Sequence, residues 1–289
     1  MPARRAWFVA CRAIWVLLLA GCTASQPRDP LEGSETWAER QRQSREAWAA
    51  AEARDWRRAE AILTRLIHES PFTATFQERL GKVLAAQSRW SEAHVAYEKA
   101  LALEPNSSTA LVGLAHVELT QGSLQTALGH LDRAIEIDPR AAEAQLSRGE
   151  ALERFGRTTE ALAAYYRVLQ LRPDSLEGNR RVAGIQLRRN RPEQALVRLD
   201  ELLERAPDDV ESRVLRGRAY LALDQPAAAL EDLKRATEQD PGRSDALCDL
   251  AAALEKTKQT HEALQAAERA LAIDPNLTAA REIAARLRR

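Results

Sequence analysis

Aromatic side chains are scarce in this sequence, with six Trp, four Tyr and four Phe making up 5% of the chain. Glycine is sparse as well, at 12 residues. Alanine, leucine, glutamate and arginine fill the space, and these side chains lose little rotamer freedom in a helix. An all-α chain is predicted. A surplus of one charge is also missing, since 42 basic residues face 42 acidic ones. That balance gives no overall field for nucleic acid or an anionic membrane surface, and the charges read as solvated helix faces. The three cysteines, Cys11, Cys22 and Cys248, form no metal-ligand spacing. HExxH, CxxC and GxSxG do not occur, and Gly81-Lys82 lacks the rest of a phosphate loop. No catalytic residue, metal or cofactor is expected, so the chain is not expected to be an enzyme.

Long apolar runs are absent except near the start. Arg4, Arg5 and Arg12 precede or enter the stretch Ala13–Ala20, which ends at Gly21-Cys22. A bilayer span takes about 20 apolar residues, so this stretch has the length of a signal-peptide core. Leu19-Ala20-Gly21-Cys22 resembles the lipobox of bacterial lipoproteins. The resemblance implies cleavage of residues 1–21 and acylation of the Cys22 thiol. It also implies a lipid anchor facing the periplasm. Thr23, where an aspartate often retains such proteins at the inner membrane, favours the outer membrane. The cleaved chain would carry 39 basic against 42 acidic side chains. Pro27, Pro30 and Gly33 break helix in the following segment, so 22–36 is expected to be an acylated tether. Thr36, with Glu39 three residues on, is expected to cap the first helix. Secretion, or a cytoplasmic location if the N-terminus is not exported, are the other expectations.

Proline recurs at Pro71, Pro105, Pro139, Pro173, Pro207, Pro241 and Pro275, each 34 residues from the next. A small residue keeps the same phase at Ala47, Gly81, Ala115, Gly149, Ala183, Gly217 and Ala251. Alanine does so at Ala59, Ala93, Ala127, Ala161, Ala195, Ala229 and Ala263. Small residues at such points let helices approach closely, and added methylenes would overpack them. Gly122, Gly156 and Asn190 mark a turn that tolerates left-handed backbone. The period and these positions resemble the tetratricopeptide repeat family. The resemblance implies an all-α fold, a right-handed α-α superhelix of seven repeats. The array is expected over 37–289, with repeats at 40–73, 74–107, 108–141, 142–175, 176–209, 210–243 and 244–277 and a capping helix at 278–289.

The family resemblance further implies a concave groove lined by the first helix of each repeat. Its candidate partner-binding residues are Lys82, Val112, His116, Leu146, Glu150, Arg180, Leu187, Val214, Arg218 and Leu221. Some of these apolar residues could instead complete the core. The expected partner is another protein, docked as a peptide, a helix or an extended segment. Membrane attachment comes through the lipid, nucleic acid is not expected, and oligomeric state is left open. Glu78, Lys82 and Gly113 do not suit the family's carboxylate clamp. Arg180, Arg181, Arg188 and Arg189 form a basic run that could meet an acidic partner. His116 and His130, on the two helices of one repeat, could approach each other. Trp56 and Trp90 are in phase and are expected to stack between repeats, and Trp48 is either an exposed anchor or an end seal. Lipoproteins of this architecture assist pilus or secretion-pore assembly, or organise cell-wall or export complexes. An accessory role with a polysaccharide or small ligand is the alternative.

Overall fold

The computed structural model describes residues 35–288. The lipobox, Cys22 and most of the expected tether lie outside the described residues. Fifteen helices and no strands occur among the described residues. They are α1 (Glu35–Glu52), α2 (Trp56–Glu69), α3 (Ala74–Ala86), α4 (Trp90–Leu103), α5 (Ser108–Thr120), α6 (Leu124–Ile137), α7 (Ala142–Arg154) and α8 (Thr158–Leu171). They continue as α9 (Leu176–Arg188), α10 (Pro192–Arg205), α11 (Val210–Ala222), α12 (Pro226–Gln239), α13 (Ser244–Lys256), α14 (Thr260–Ile273) and α15 (Thr278–Leu287). Thr36 lies inside α1 rather than at its cap. The chain divides into two compact units between Ala144 and Gln145.

Each helix pair closes through one turn whose geometry repeats. A left-handed residue stands at Arg54, Ser88, Gly122, Gly156, Asn190, Asp224 and Lys258, with φ between 55° and 80°. The next amide reaches back five residues, as in Arg89 N–H to the Leu84 carbonyl at 3.0 Å and Ser123 N–H to the Glu118 carbonyl at 2.9 Å. This satisfies the carbonyls that the helix end would otherwise leave open. Glycine meets the φ requirement at only two of the seven turns. Ser88→Gly should therefore stabilise the fold by about 1 kcal/mol by removing the Cβ penalty. Gly156→Ala should have the opposite sign. A Cβ there meets nothing within 4 Å, so its cost is purely backbone. Urea unfolding of both variants checks the pair.

Within each helix pair, the small residue stands opposite the residue sixteen positions on, and both tyrosines at that position meet glycine. Gly81 faces Tyr97, and a Cβ on it would lie 2.7 Å from the ring. Gly149 faces Tyr165 at 2.4 Å and Gly217 faces Leu233 at 2.7 Å. Alanine occupies this phase where the residue sixteen on is Leu63, Leu131, Leu199 or Ala267. Tyr97 is also pressed by Gly113 from α5, where a Cβ would approach to 2.3 Å. The helices thus meet as close-packed interiors do, with bulk on one side answered by its absence on the other.

In the first unit, Ala47, Ala59, Leu63 and Val83 form one core cluster, with Trp56 packed on it. Leu84, Ala93, Tyr97 and Leu114 form another, with Trp90 packed on it. The two tryptophans thus each start a second helix and each cover a different cluster. Trp37 meets the fully buried Phe76, with ring centroids 6.3 Å apart. In the second unit, Leu233, Leu247, Leu250 and Leu254 continue into Ala280, Ile283 and Ala284 of α15. The last helix therefore covers apolar surface that α13 and α14 would otherwise expose.

Candidate functional site

The first helices of the pairs carry the candidate residues, and the structure sorts these into two groups. Val214 is fully buried and packs with Ala236 and Ala246. Val112 is 7% exposed. Both fill the core, so neither offers its side chain to a partner. Leu187 and Leu221 are half-buried against core clusters. Lys82, Leu146, Glu150, Arg180 and Arg218 are partly exposed, and His116 is exposed.

In the first unit, Lys82 lines a hollow of about 280 Å³ with Trp48, Thr75, Glu78, Arg79 and Thr109. Trp48 is 40% exposed, and its indole N–H donates to Glu52 at 2.8 Å. The Lys82 ammonium stands 5.9 Å from the Trp48 ring centroid, within cation–π range. Trp48 thus keeps an exposed ring, and the aromatic contact with Phe76 belongs to Trp37. Elsewhere in this unit, the His130 Nε2 lies 3.2 Å from the Glu118 carboxylate. Among the described residues, no group of three or more potential metal ligands gathers.

In the second unit, Arg180, Arg181, Arg188 and Arg218 line a hollow of about 410 Å³ together with Glu153, Glu177 and Glu211. The run of arginines that looked basic in sequence is neutralised in space. Arg180 pairs with Glu177 at 2.9 Å and Asp209 at 3.2 Å. Arg181 pairs with Glu177 at 2.7 Å and Glu150 at 3.1 Å, and Arg188 pairs with Glu153. Arg218 pairs with Asp249 at 2.6 Å and Asp245 at 2.8 Å. Arg189 instead donates to the Thr159 hydroxyl at 2.8 Å. Most of these partners lie about one repeat away, so a search for nearby opposite charges does not find them.

Asp245 is the most perturbed carboxylate of this face. Burial alone would raise its pKa, but hydrogen bonds from Arg243 and Arg218, each 2.8 Å, outweigh burial and hold it down to about 2. Its folded-state pKa is below the unfolded value, so its contribution to stability is present above about pH 4. That contribution is lost as pH falls toward 2. The stability gap between the wild type and Asp245→Asn should therefore be open at pH 5 and narrow steadily as pH falls to 2. Thermal melts across that range check it. Asp249, beside it, moves the other way, because burial raises its pKa above the ordinary carboxylate value.

The tetratricopeptide repeat family matches this chain over residues 44–108, 79–142, 112–175 and 214–278, and a second tetratricopeptide repeat family matches 152–219. The chain is a tetratricopeptide repeat protein. No curated protein sequence matches it. Among solved structures, this repeat protein is similar to a chain of the APC/C hetero-tetramer Cut9–Hcn1, with a TM-score of 0.72 and 17% identity. That match covers 83% of this chain and 48% of the other, so the repeats span about half of that longer protein. PilF of Pseudomonas aeruginosa matches with a TM-score of 0.67 and 18% identity, covering 74% of this chain and 97% of PilF. PilW, a type IV pilus biogenesis factor, matches with a TM-score of 0.64 and 17% identity, covering 73% of this chain and 97% of PilW. At these identities the likeness is one of fold.

Proposed function

We propose that this repeat protein is a non-catalytic scaffold that holds a protein partner on the first-helix faces of its repeats, tethered by lipid at Cys22 in a bacterial envelope. The carrying observation is that hollows open on those faces in each unit, lined by Lys82 in one and by Arg180 and Arg218 in the other. The first also offers the exposed Trp48 ring, an aromatic of the kind enriched at protein-recognition surfaces. The machine it serves is an envelope assembly of the pilus, secretion, export or cell-wall kind. PilF and PilW lend the pilus reading a structural parallel and nothing finer.

The anchor rests on Leu19-Ala20-Gly21-Cys22 and the basic and apolar segments before it. No helix among the described residues is long and apolar enough to cross a membrane. More than one acyl chain would give stable attachment, where a single chain is marginal. The array would then face the periplasm, with the outer membrane favoured by Thr23. Radiolabelled palmitate should enter the wild type and not Cys22→Ala. Equal labelling of both, or of neither, would overturn the anchor.

A further inference from the structure

The two hollows differ in how their charges are met. In the second unit, each lining arginine has a carboxylate of the same unit beside it. In the first unit, Arg45, Arg79 and Lys82 have no ion-pair partner among the described residues. Arg45 and Trp48 are three residues apart on α1 and share a face, as Arg79 and Lys82 do on α3. Arg79 donates to the Ser44 hydroxyl at 2.7 Å, which joins the two helices. Burial first, and then the charge of Arg45, lower the Arg79 pKa, so these two cations lie close enough to repel. One carboxylate, Glu78, lines the hollow with Arg79 and Lys82. Glu78 is already engaged, because the Ser107 hydroxyl donates to it. Around the exposed indole, three cations thus stand against two carboxylates, Glu78 and the Glu52 that accepts the indole N–H.

We propose that this hollow anchors an acidic segment of the partner protein, an apolar side chain packing on Trp48 while adjacent Asp or Glu side chains pair with Arg79, Lys82 and Arg45. The proposal rests on the scaffold reading and gives the chemistry of what the scaffold holds. A hollow of about 280 Å³ has room for an anchoring side chain. Desolvated charge pairs around such an anchor supply specificity. A lipid surface is the weaker match, since polybasic membrane sites gather about four to eight cations on an open face.

The test uses the full chain and three fluorescein-labelled peptides read by fluorescence anisotropy at low salt. One carries Asp-Glu-Leu-Asp-Glu, one replaces its acids with Asn and Gln, and one replaces them with Lys. The acidic peptide should bind, and both others should bind at least about tenfold more weakly, the scale of losing one charge-assisted hydrogen bond. Lys82→Glu and Trp48→Ala should each weaken the acidic peptide by a similar factor. Lys234→Glu, on an exposed position of α12, should not. Circular dichroism melts confirm that the variants are folded, and Lys82→Gln provides a milder second variant.

Absence of binding by the acidic peptide, or binding insensitive to both Lys82 variants, would overturn the proposal. So would phosphatidylglycerol vesicles binding as well as the peptide and losing that binding in Lys82→Glu. If the peptides fail while first-helix positions still crosslink a partner in cells, only this inference falls. If the acidic peptide binds through Lys82 while no partner crosslinks, the site stands and the scaffold reading falls.

Discussion

Replacing Asp232 with alanine should destabilise the second unit by about 3–5 kcal/mol, the cost of leaving a buried charge without its partner. Asp232 is 1% exposed and Arg213 is 4% exposed. The Arg213 guanidinium donates to the Asp232 carboxylate at 3.2 Å and to the Pro207 carbonyl. Arg216 holds the other side of the same carboxylate, at 2.6 and 2.8 Å, and reaches Asp200 at 2.9 Å. One carboxylate therefore bridges two guanidinium groups, with Asp200 supplying the second negative charge, and ties α11 to α12 and to the preceding proline turn. Removing it strands Arg213, which has no solvent to turn to, whereas Arg216 keeps Asp200. Removing both members should do less harm, because a buried pair replaced by apolar groups of similar volume is often near neutral. The double variant Arg213→Met/Asp232→Leu should thus recover most of the loss. Urea unfolding monitored by circular dichroism separates the two outcomes. Equal losses in the single and double variants would show that Asp232 is needed for more than charge.

Gly149→Ala should cost about 1–3 kcal/mol, the range for overpacking a filled core. The new Cβ would lie 2.4 Å from Tyr165 Cε1. Tyr165 is fully buried and cannot swing away cheaply, because its hydroxyl also donates to Glu153 at 2.8 Å. Shrinking the partner should relieve the clash. In Gly149→Ala/Tyr165→Leu the pair becomes the alanine–leucine pair that Ala115 and Leu131 already form in the preceding repeat. The double-mutant cycle should show favourable coupling between the two changes. A purely additive cycle would mean that glycine serves the backbone there and not the ring.

This phased close packing explains why the fold was legible in the sequence. The 34-residue spacing of Pro71 to Pro275 and the phased small residues place every helix boundary close to where it lies, since helix stops and close contacts demand particular residue types. The left-handed turn was legible only where glycine or asparagine announces it. Arg54, Ser88, Asp224 and Lys258 adopt the same conformation without such a signal, because the packed helices on either side impose it. The candidate site was less legible. Spacing on one helix separates a surface row from a buried one only to within a residue, so Val112 and Val214 were placed in the groove and belong to the core. The pairing of Arg180, Arg181, Arg188 and Arg218 depends on side chains about one repeat away. Local sequence showed a basic run where the structure has an ion-pair ladder. Conversely, the unpaired cations Arg45, Arg79 and Lys82 carry no local signature, and their surplus emerges only when α1 and α3 are set side by side.

The claim that the first-helix faces hold a partner is tested most directly by site-specific photocrosslinking in cells. A photoreactive residue at Lys82, Leu146 or Leu221 samples those faces, and one at Val95, Val197 or Ile273 samples exposed positions on second helices. One discrete crosslinked protein, shared by the first-helix positions and absent from the second-helix ones, is the expected result. A discrete crosslink formed only from Val95, Val197 or Ile273, or none from any first-helix position, would contradict it.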